Sequence, residues 1–493
     1  MCPLRFDSND DWKRYPQNLR LAPLESNASR NDTRISRLSK DLFVANNESA
    51  FEFIAIGVAN NDDGHDILTQ QIQSTESLKA TMELEPVTSV VFIDQSYTWS
   101  RLCISEEHFR RLFTQMAVHP NFIDVVRLFC EKTGPVEEGF SSLFMNTSED
   151  DLSGNHLAPG RDCSYYIGYN IKYVAKHGRR YPTDPFSIRE IGVYQHFSSS
   201  DQRCQWVFLQ APDHLKDRLR SNLQCFDDNP PMRQVLQHSM LLLEVSEDWR
   251  EYLVYLEEEF SKIVDRGFFT NVKELHTEGD VQADFSDLRK LHILTDKLLR
   301  LAHILKLNIR LGCQLRSGVL DIKMISSPAL QISFNEMQGR LDKYVYEQET
   351  SLARIETLIA RSAGIGQLVQ GIQDFRSNEA SKHINHEMQR LTEQGIKENA
   401  LMKRLTEQST NDTRSMMTIA LISAIFLPAT FLATLFGSNF FAYSERQNAL
   451  TVASNFWVYV IITFAFSGST VILWFVWRRH RVRRSIPDDI EAP

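Results

Sequence analysis

The sequence predicts an α+β cytosolic domain, a long helical stalk and two C-terminal transmembrane helices. Three observations support this fold class. Short β-rich runs dominate residues 49–228, apolar residues recur at helical spacing from residue 229, and two long uncharged apolar segments follow residue 415. The composition, with 42% hydrophobic residues and a net charge of −9 over 493 residues, averages over these unlike regions.

The first 48 residues are polar and rich in Asn, Asp, Ser and Arg, which predicts a disordered cytosolic tail. They contain no apolar stretch of the kind that a secretory signal needs. We therefore expect the C-terminal helices themselves to direct membrane insertion.

Residues 49–228 are predicted to form the α/β cytosolic domain. Its expected strands are rich in aromatic or β-branched residues and are bounded by turn formers. A helix is expected over 106–130, interrupted at Pro120, with loops over 146–161 and 177–185. The strands are expected at 51–58, 89–93, 165–174, 188–197 and 205–210.

Residues 229–376 are predicted to be a helical cytosolic region with helices over 232–265, 285–318 and 330–372. Residues 377–436 then form one long stalk helix that continues into the first transmembrane helix. Gly364, Gly366 and Gly371 indicate a bend between helices, because they lack the preceding strand and the spacing of a dinucleotide-binding loop.

The two predicted transmembrane helices cover residues 416–436 and 456–477, which are 21 and 22 residues without a charge. A bilayer core about 30 Å thick needs roughly 20 apolar helical residues, and both segments reach that length. A soluble helix of this length normally keeps a polar face, and neither segment has a charged one.

Lysine and arginine placement predicts the topology. Four basic residues precede the first span and five follow the second, whereas the connecting loop 437–455 has only Arg446. Both termini are therefore expected in the cytosol, with an extracytosolic loop and a basic tail at 478–493; the plasma membrane is the expected location. The basic residues are Lys397, Lys403, Arg404, Arg414, Arg478, Arg479, Arg481, Arg483 and Arg484.

The first span carries one stripe of mostly small or polar residues at spacings of three or four. Two interpretations of this stripe remain open. Small residues favour close packing between helices in a membrane, and hydroxyl or carbonyl oxygens along a pore favour a hydrated hard cation. The stripe consists of Thr413, Met416, Ala420, Ser423, Leu427, Thr430 and Thr434, and reaches Gly437.

The segment 426–440 resembles the first transmembrane segment of the CorA-like magnesium transporters. Pro428, Thr430 and Phe431 match a proline-threonine-phenylalanine core in that family. The following aromatic-Gly-Met-Asn-aromatic signature is matched by Phe436, Gly437, Asn439 and Phe440. The resemblance extends well over residues 230–484 and loosely over the α/β region, where 184–194 is similar to the fungal branch.

This resemblance implies a homopentamer that passes divalent cations, mainly Mg²⁺, along the first span. Gly437, Ser438 and Asn439 would form the entry filter, with the Asn439 amide as the metal-facing group. The seven stripe residues from Thr413 to Thr434 would line the pore, and Met416 and Leu427 would constrict it. Ser438 stands where the family has methionine, which makes a non-conducting, membrane-anchored sensor or interaction protein the alternative function.

Other classes of function have little support in the sequence. The acidic balance argues against a nucleic-acid partner, and the residues contain no catalytic constellation, so we expect no enzyme and no permanently bound cofactor. Expected partners are membrane lipid, further copies of the chain, and Mg²⁺ as the transported and regulatory ion. Seven scattered cysteines fit a reduced compartment.

Several local patterns are weighed against metal binding or modification. His383, His386 and Glu387 lack the spacing of a metalloprotease helix, and residues 60–66 lack that of a calcium loop. Five glycosylation sequons fall on the predicted cytosolic side, where they would stay unmodified. These sequons begin at Asn27, Asn31, Asn47, Asn146 and Asn411.

Overall fold

The computed structural model places the chain in two compact units, residues 1–376 and residues 377–493. Each unit is described by itself. The residues that the structure describes are 10–19, 28–57, 67–134, 136–148, 164–177, 179, 184–198, 201–224, 231–270, 283–325, 331–435, 441–444 and 449–484.

The first unit is built around a seven-stranded sheet. Its strand order is β2-β1-β3-β7-β6-β5-β4, and every neighbouring pair is antiparallel except β3 and β7. The strands are β1 Phe51–Ile56, β2 Leu68–Ile72, β3 Thr88–Ile93, β4 Leu143–Ser148, β5 Ser164–Lys176, β6 Phe186–Ser198 and β7 Arg203–Leu209.

The five predicted strands are confirmed, with ends shifted by at most two residues. Strands β2 and β4 were not predicted, and the expected loop from residue 146 is wrong for its first three residues, which belong to β4. Both missed strands lie at the edges of the sheet. An edge strand needs fewer buried residues, so its apolar pattern is weaker.

In the first unit, helices cover both faces of the sheet. The predicted helix over 106–130 is present as two pieces separated at Pro120, as expected from that proline. The helices are α1 Ala28–Leu42, α2 Thr75–Met82, α3 Glu106–Gln115, α4 Phe122–Val126, α5 Asp213–Gln224, α6 Gln237–Glu244, α7 Trp249–Phe269, α8 Phe285–Ile325, α9 Gln331–Leu435 and α10 Phe456–Arg484, with 3₁₀ turns at Asp10–Arg14, Asn46–Glu48, Arg127–Phe129 and Pro231–Leu236.

Alternating strand residues build a separate core on each face of the sheet. On β3, Val91 points into the core formed with α1 to α4, whereas Val90 and Phe92 point into the core formed with α5, α6, α8 and the first part of α9. A third cluster joins α7, α8 and residues 355–369 of α9. The first unit is therefore a sheet covered on both faces, with a helical extension.

The expectation of a disordered tail over residues 1–48 is wrong for the residues that the structure describes there. Helix α1 spans Ala28–Leu42, and Tyr15, Ile35 and Leu42 are at most 1% exposed. Arg110 is itself buried and donates to the carbonyl of Tyr15 at 2.7 Å and to Asp32 at 2.9 Å. A polar composition concealed these few well-spaced apolar residues, which dock the segment onto α3.

Two helix predictions also change. The predicted helix 232–265 is divided at residues 245–248, between α6 and α7. The predicted bend near Gly364 is absent, because α9 is continuous through Gly364, Gly366 and Gly371. A glycine in a helix costs about 1 kcal/mol relative to alanine, which neighbouring good helix formers and the third core cluster can offset.

The second unit contains the apolar part of α9, helix α10 and a short hairpin. Two helices are long and apolar enough to cross a membrane, with spans inside Ile332–Thr434 and Phe456–Trp477. Strands β8 Phe441–Ser444 and β9 Ala449–Val452 pair antiparallel within the connecting loop. This hairpin was not predicted, since four-residue strands carry little periodicity.

Candidate functional site

The predicted pore stripe lies on the solvent-exposed surface of α9. Its members Thr413, Met416, Ala420, Ser423, Leu427, Thr430 and Thr434 are all exposed in the second unit. At 100° per residue they fall within a sector of roughly 100° around the helix axis. The structure thus brings the seven residues onto one face, as the spacing predicted.

A different face of the same helix segment is covered. Pro428 and Leu432 are buried, and Leu421 and Ala424 are half-buried. This covered face lies about 120° around the helix from the stripe. Packing within the chain therefore does not use the stripe.

Helix α10 also has one partly covered face. Its half-buried residues Tyr459, Thr463, Ser467 and Trp474 recur at intervals of four or seven and share that face. Within residues 456–477, the rest of the surface is largely apolar and exposed, with Phe464 at 77% and Leu473 at 73% exposure. Each of the two helices therefore has one face that is covered within the chain, and its other faces are exposed.

The threonine hydroxyls of the stripe are oriented by the helix backbone. Thr413 donates to the carbonyl of Ser409 at 2.7 Å, and Thr434 donates to that of Phe431 at 2.8 Å. Thr430 lies within 3.1 Å of the Phe426 carbonyl and 3.0 Å of the Leu427 carbonyl. Because each hydroxyl proton points at a carbonyl, the oxygen lone pairs remain as acceptors for water or a cation.

Pro428 adds a backbone acceptor to this region. Proline has no N–H, so it cannot donate the helical hydrogen bond to the carbonyl of Ala424. The helix nevertheless continues through Pro428 to Leu435. A carbonyl released from the helical ladder inside an apolar segment needs another donor, such as an ordered water.

Two apolar side chains interrupt the polar groups of the stripe. Met416 is 72% exposed and Leu427 is 65% exposed. No Asp, Glu, Lys or Arg occurs between Met416 and Thr434. The stripe therefore offers neutral oxygens separated by apolar side chains, rather than fixed charges.

The predicted filter residues Gly437, Ser438 and Asn439 lie outside the described residues. The stripe ends at Thr434 on their N-terminal side, and the hairpin begins at Phe441 on their C-terminal side. Hydrogen-bonded pairing of Phe441 with Val452 ties the loop back towards α10.

The rejected motifs remain without a site in the described parts of the chain. His383 and His386 are exposed on α9, and Glu387 pairs with Arg390 at 3.1 Å. No group of three or more potential metal-binding His, Cys, Asp or Glu side chains occurs among the described residues. Of the sequons, Asn31 is 4% exposed and donates to the carbonyl of Pro120, so a glycan there would not fit; Asn27 and residues 60–66 fall outside the description.

One buried polar network in the first unit was not anticipated. His238 is fully buried between the Tyr169 hydroxyl at 3.0 Å and the Gln195 side-chain oxygen at 2.8 Å. Burial lowers the pKa of His238 to about 3, so the ring is neutral at physiological pH. Its Trp206 neighbour packs with a ring separation of 4.9 Å. All three hydrogen-bonded side chains are buried, so this network stabilises the core.

The family match covers the N-terminal half of the chain. A family model described as CorA-like transporters matches residues 7–267, which is more than half of the 493 residues. The chain belongs to the CorA-like transporter family. The matched region is the α/β domain with α7, where we expected the likeness to be looser than in the spans.

Similarity to individual proteins is weaker. The notoamide biosynthesis cluster protein M′ of Aspergillus versicolor is 39% identical over 54 residues, which are 11% of this chain and 12% of that protein. The chain therefore aligns with only a small part of that relative's length, and its fungal source does not establish a subtype for this CorA-like chain.

Solved structures align over most of the chain at low identity. The CorA magnesium transporter from Methanocaldococcus jannaschii is 12% identical, with 85% of this chain and 96% of that chain covered and a TM-score of 0.32. The full-length CmaX protein is 14% identical, with coverages of 88% and 98% and a TM-score of 0.33. The ZntB cytoplasmic domain from Vibrio parahaemolyticus RIMD 2210633 is 8% identical, with coverages of 68% and 99% and a TM-score of 0.29. These scores are too low to carry an argument about function.

Proposed function

We propose that this CorA-like protein is a passive channel for divalent cations, mainly Mg²⁺, with ions passing along the exposed stripe of α9. The observation that carries the proposal is the stripe itself: seven residues that share one exposed face, away from the face that packs within the chain. Membership of a transporter family supports a role in moving a solute rather than in catalysis. The resident chemistry needed is oxygen ligation, so no permanently bound cofactor is required.

Membrane insertion would remove the exposed apolar side chains of α9 and α10 from water. Leaving so many large apolar side chains in water is unfavourable by about 25 cal/mol per Å². Lipid would cover the outward faces of α9 and α10, and the basic residues at the two cytosolic ends would set the topology, with both termini in the cytosol. The plasma membrane is the proposed location.

Assembly of several chains is required, because one helix presents only one wall of a conduction path. Copies of α9 arranged about an axis would turn their stripes towards each other and enclose the threonine and serine oxygens. The resemblance at residues 426–440 implies five copies. A ring of that kind brings the Thr430 and Thr434 oxygens of every copy into the same two layers.

Ion selection would occur at the loop end of the stripe. Mg²⁺ dehydrates reluctantly, so a filter that contacts its hydration shell is suited to it. The side-chain amide of Asn439 would present an oxygen to the incoming hydrated ion, and Gly437 would allow the backbone to approach closely. Ser438 would contribute a hydroxyl where the family has methionine.

The driving force would be the membrane potential. Moving one charge inward through 100 mV releases about 2.3 kcal/mol, and a divalent ion releases about twice that amount. The rings formed by Met416 and Leu427 would close the path by excluding water, since a narrow apolar constriction dewets readily. Opening would then require these two rings to widen.

The test is Mg²⁺ uptake by transport-deficient cells that express the full chain. We expect uptake with the wild type and loss of most of it with Asn439→Ala. Asn448→Ala, the same change in the same loop, is the matched control and should transport normally. Equal uptake by the wild type and Asn439→Ala would remove the filter role of Asn439.

The alternative function is a non-conducting, membrane-anchored sensor or interaction protein, and Ser438 is the observation that favours it. Recording from purified protein in planar bilayers separates the two functions. The channel predicts a current that requires a divalent cation, and the alternative predicts none at any Mg²⁺ concentration. Ser438→Met, which restores the family residue, would produce a current only if this position alone had silenced the pore.

A further inference from the structure

In the first unit, the connections that follow strands β3 and β7 lead to opposite faces of the sheet. The two strands are parallel neighbours that end together, with Ile93 opposite Leu209. After β3 the chain leads to α3 and α4 in the core on one face, and after β7 it leads to α5 in the core on the other face. Open α/β sheets bind ligands at such divergence points, beyond the carboxyl ends of the strands.

A partly enclosed cavity of about 60 Å³ lies at this point. Gln95 and Gln210, which follow the two strands, form one wall, and residues 188–190 of β6 form another. This second wall is open on its β7 side because the pairing of β6 with β7 ends at Gly192, while its pairing with β5 continues to Phe186. The volume corresponds to roughly two water molecules, or to a single small polar group.

The charges around the cavity leave an excess of positive charge. Three cationic side chains line it, together with two carboxylates. Both carboxylates are already paired: Glu190 lies 3.0 Å from Lys172, and Glu138 binds Arg300, outside the lining, through both oxygens. The three cationic residues are Lys132, Lys172 and Arg189.

Two of these cations keep unused hydrogen-bonding capacity. Arg189 donates one N–H to the Thr98 hydroxyl at 2.9 Å. Within the described parts of the chain, neither Arg189 nor Lys132 forms a salt bridge. A guanidinium has five N–H donors in a planar fork, which matches the geometry of phosphate and carboxylate oxygens.

The remaining lining does not cancel this charge. Burial raises the pKa of the Cys130 thiol to about 11, so that side chain is neutral at pH 7. Trp99 covers part of the cavity and is 40% exposed, with its backbone in the left-handed region at φ 76°. Gln210 shares that region at φ 56°. Such conformations are costly for residues with side chains and tend to gather at binding sites.

We propose that this cavity binds a small oxyanion, the phosphate group of a soluble cytosolic molecule, through Arg189 with Lys132 beside it. Trp99 would pack over the bound group, and the third donor of Lys172 would complete its contacts, since that ammonium already contacts the carbonyl of Phe140 and Glu190. The cavity admits the phosphate group and leaves the rest of a larger molecule at the mouth. The site is independent of ion conduction and lies entirely in the first unit.

The test is calorimetric titration of the full chain in detergent with inorganic phosphate and, separately, with glycerol phosphate. We expect millimolar or tighter binding of at least one probe. Binding of inorganic phosphate alone would identify the free ion as the ligand, and tighter binding of glycerol phosphate would identify a phosphorylated metabolite. Absence of heat from both probes would overturn the proposal.

Substitutions that change the charge of the cavity should change its affinity for phosphate in a predictable direction. Arg189→Gln should weaken binding about ten-fold or more, because a charged hydrogen bond is lost. Lys132→Gln should weaken it less, because an ammonium is a point charge without the planar fork of a guanidinium, and it serves as a second variant if Arg189→Gln fails to fold. Glu190→Gln should tighten binding by releasing Lys172.

The matched control is Arg203→Gln, which removes the same charge from β7 at an arginine that pairs with Glu85, outside the cavity. It should bind phosphate as the wild type does. Equal affinity in the wild type, Arg189→Gln and Lys132→Gln would place the anion elsewhere and overturn the assignment.

Discussion

The helices of the two units use the same residue types in opposite environments. In α8 of the first unit, four leucines are 0% exposed: Leu298, Leu301, Leu305 and Leu315. In α10 of the second unit, Leu473 is 73% exposed. A leucine gains its stabilisation only from what covers it. The first unit supplies that cover from its own chain, whereas in the proposed function the second would obtain it from lipid or from other copies.

The largest expected effect comes from making one substitution in both units. Leu301→Ala should lower the free energy of unfolding of the first unit by about 2–5 kcal/mol, because a fully buried side chain is replaced by a cavity. Leu473→Ala should change the stability of the purified protein by less than about 1 kcal/mol, since lipid or detergent fills the space. Denaturant unfolding followed by circular dichroism measures both. Similar losses would mean that α10 packs inside a protein core.

Acid should destabilise the first unit more than the second, because the buried titratable groups among the described residues lie in the first. The folded pKa of His238, about 3, is below its unfolded value near 6.5, so the unfolded chain binds the extra proton in this window. Stability from His238 is therefore complete above pH 6.5 and is lost as the pH falls towards 3, by about 2 kcal/mol at pH 5. The pKa of His108 is also lowered by burial and acts in the same direction.

The control for this pH effect is His238→Gln, which should start from lower stability but fall less steeply between pH 6.5 and pH 5. Unfolding midpoints measured across that range test the slope. The helical signal of α9 and α10 in detergent should persist, because their apolar spans contain no Asp, Glu, Lys, Arg or His. An equal slope in the wild type and His238→Gln would contradict the role of His238.

A smaller effect is expected at Leu427, one of the two proposed apolar constrictions of the stripe. Leu427→Ser should raise Mg²⁺ influx several-fold, because a hydroxyl makes a narrow constriction easier to wet. Ile422→Ser makes the same kind of change about 140° around α9 and is the matched control. Ion uptake by cells expressing each variant is the measurement. If both variants behaved alike, the stripe would have no special relation to the ion path.

The sequence predicted the strands of the first unit well because their buried residues are aromatic or β-branched in short bounded runs. It predicted the stripe of α9 because a continuous helix fixes the face of each residue by spacing alone. It missed helix α1, since a polar segment needs only Ile35 and Leu42 to dock. It also missed the edge strands, because β2 is mostly exposed and β4 is half-buried.

The cavity at the ends of β3 and β7 could not be predicted from local patterns. Its residues come from five separate parts of the chain, and only the strand order brings Lys132, Arg189 and Gln210 together. One signal was present in the sequence: Arg189 and Glu190 interrupt an otherwise largely uncharged strand. The filter at 437–439 stays a prediction from the family resemblance.

The central claim is that the stripe of α9 faces water inside an assembly while the rest of the helix faces lipid or protein. Cysteine accessibility tests it most directly, in a chain whose seven native cysteines have been replaced. Single cysteines at Ser423 and Leu427 should react with a small, charged, water-soluble thiol reagent and be protected by Mg²⁺, whereas cysteines at Ile422 and Ile425 should not react. Labelling at Ile422 and Ile425 with none at the stripe positions would contradict the account.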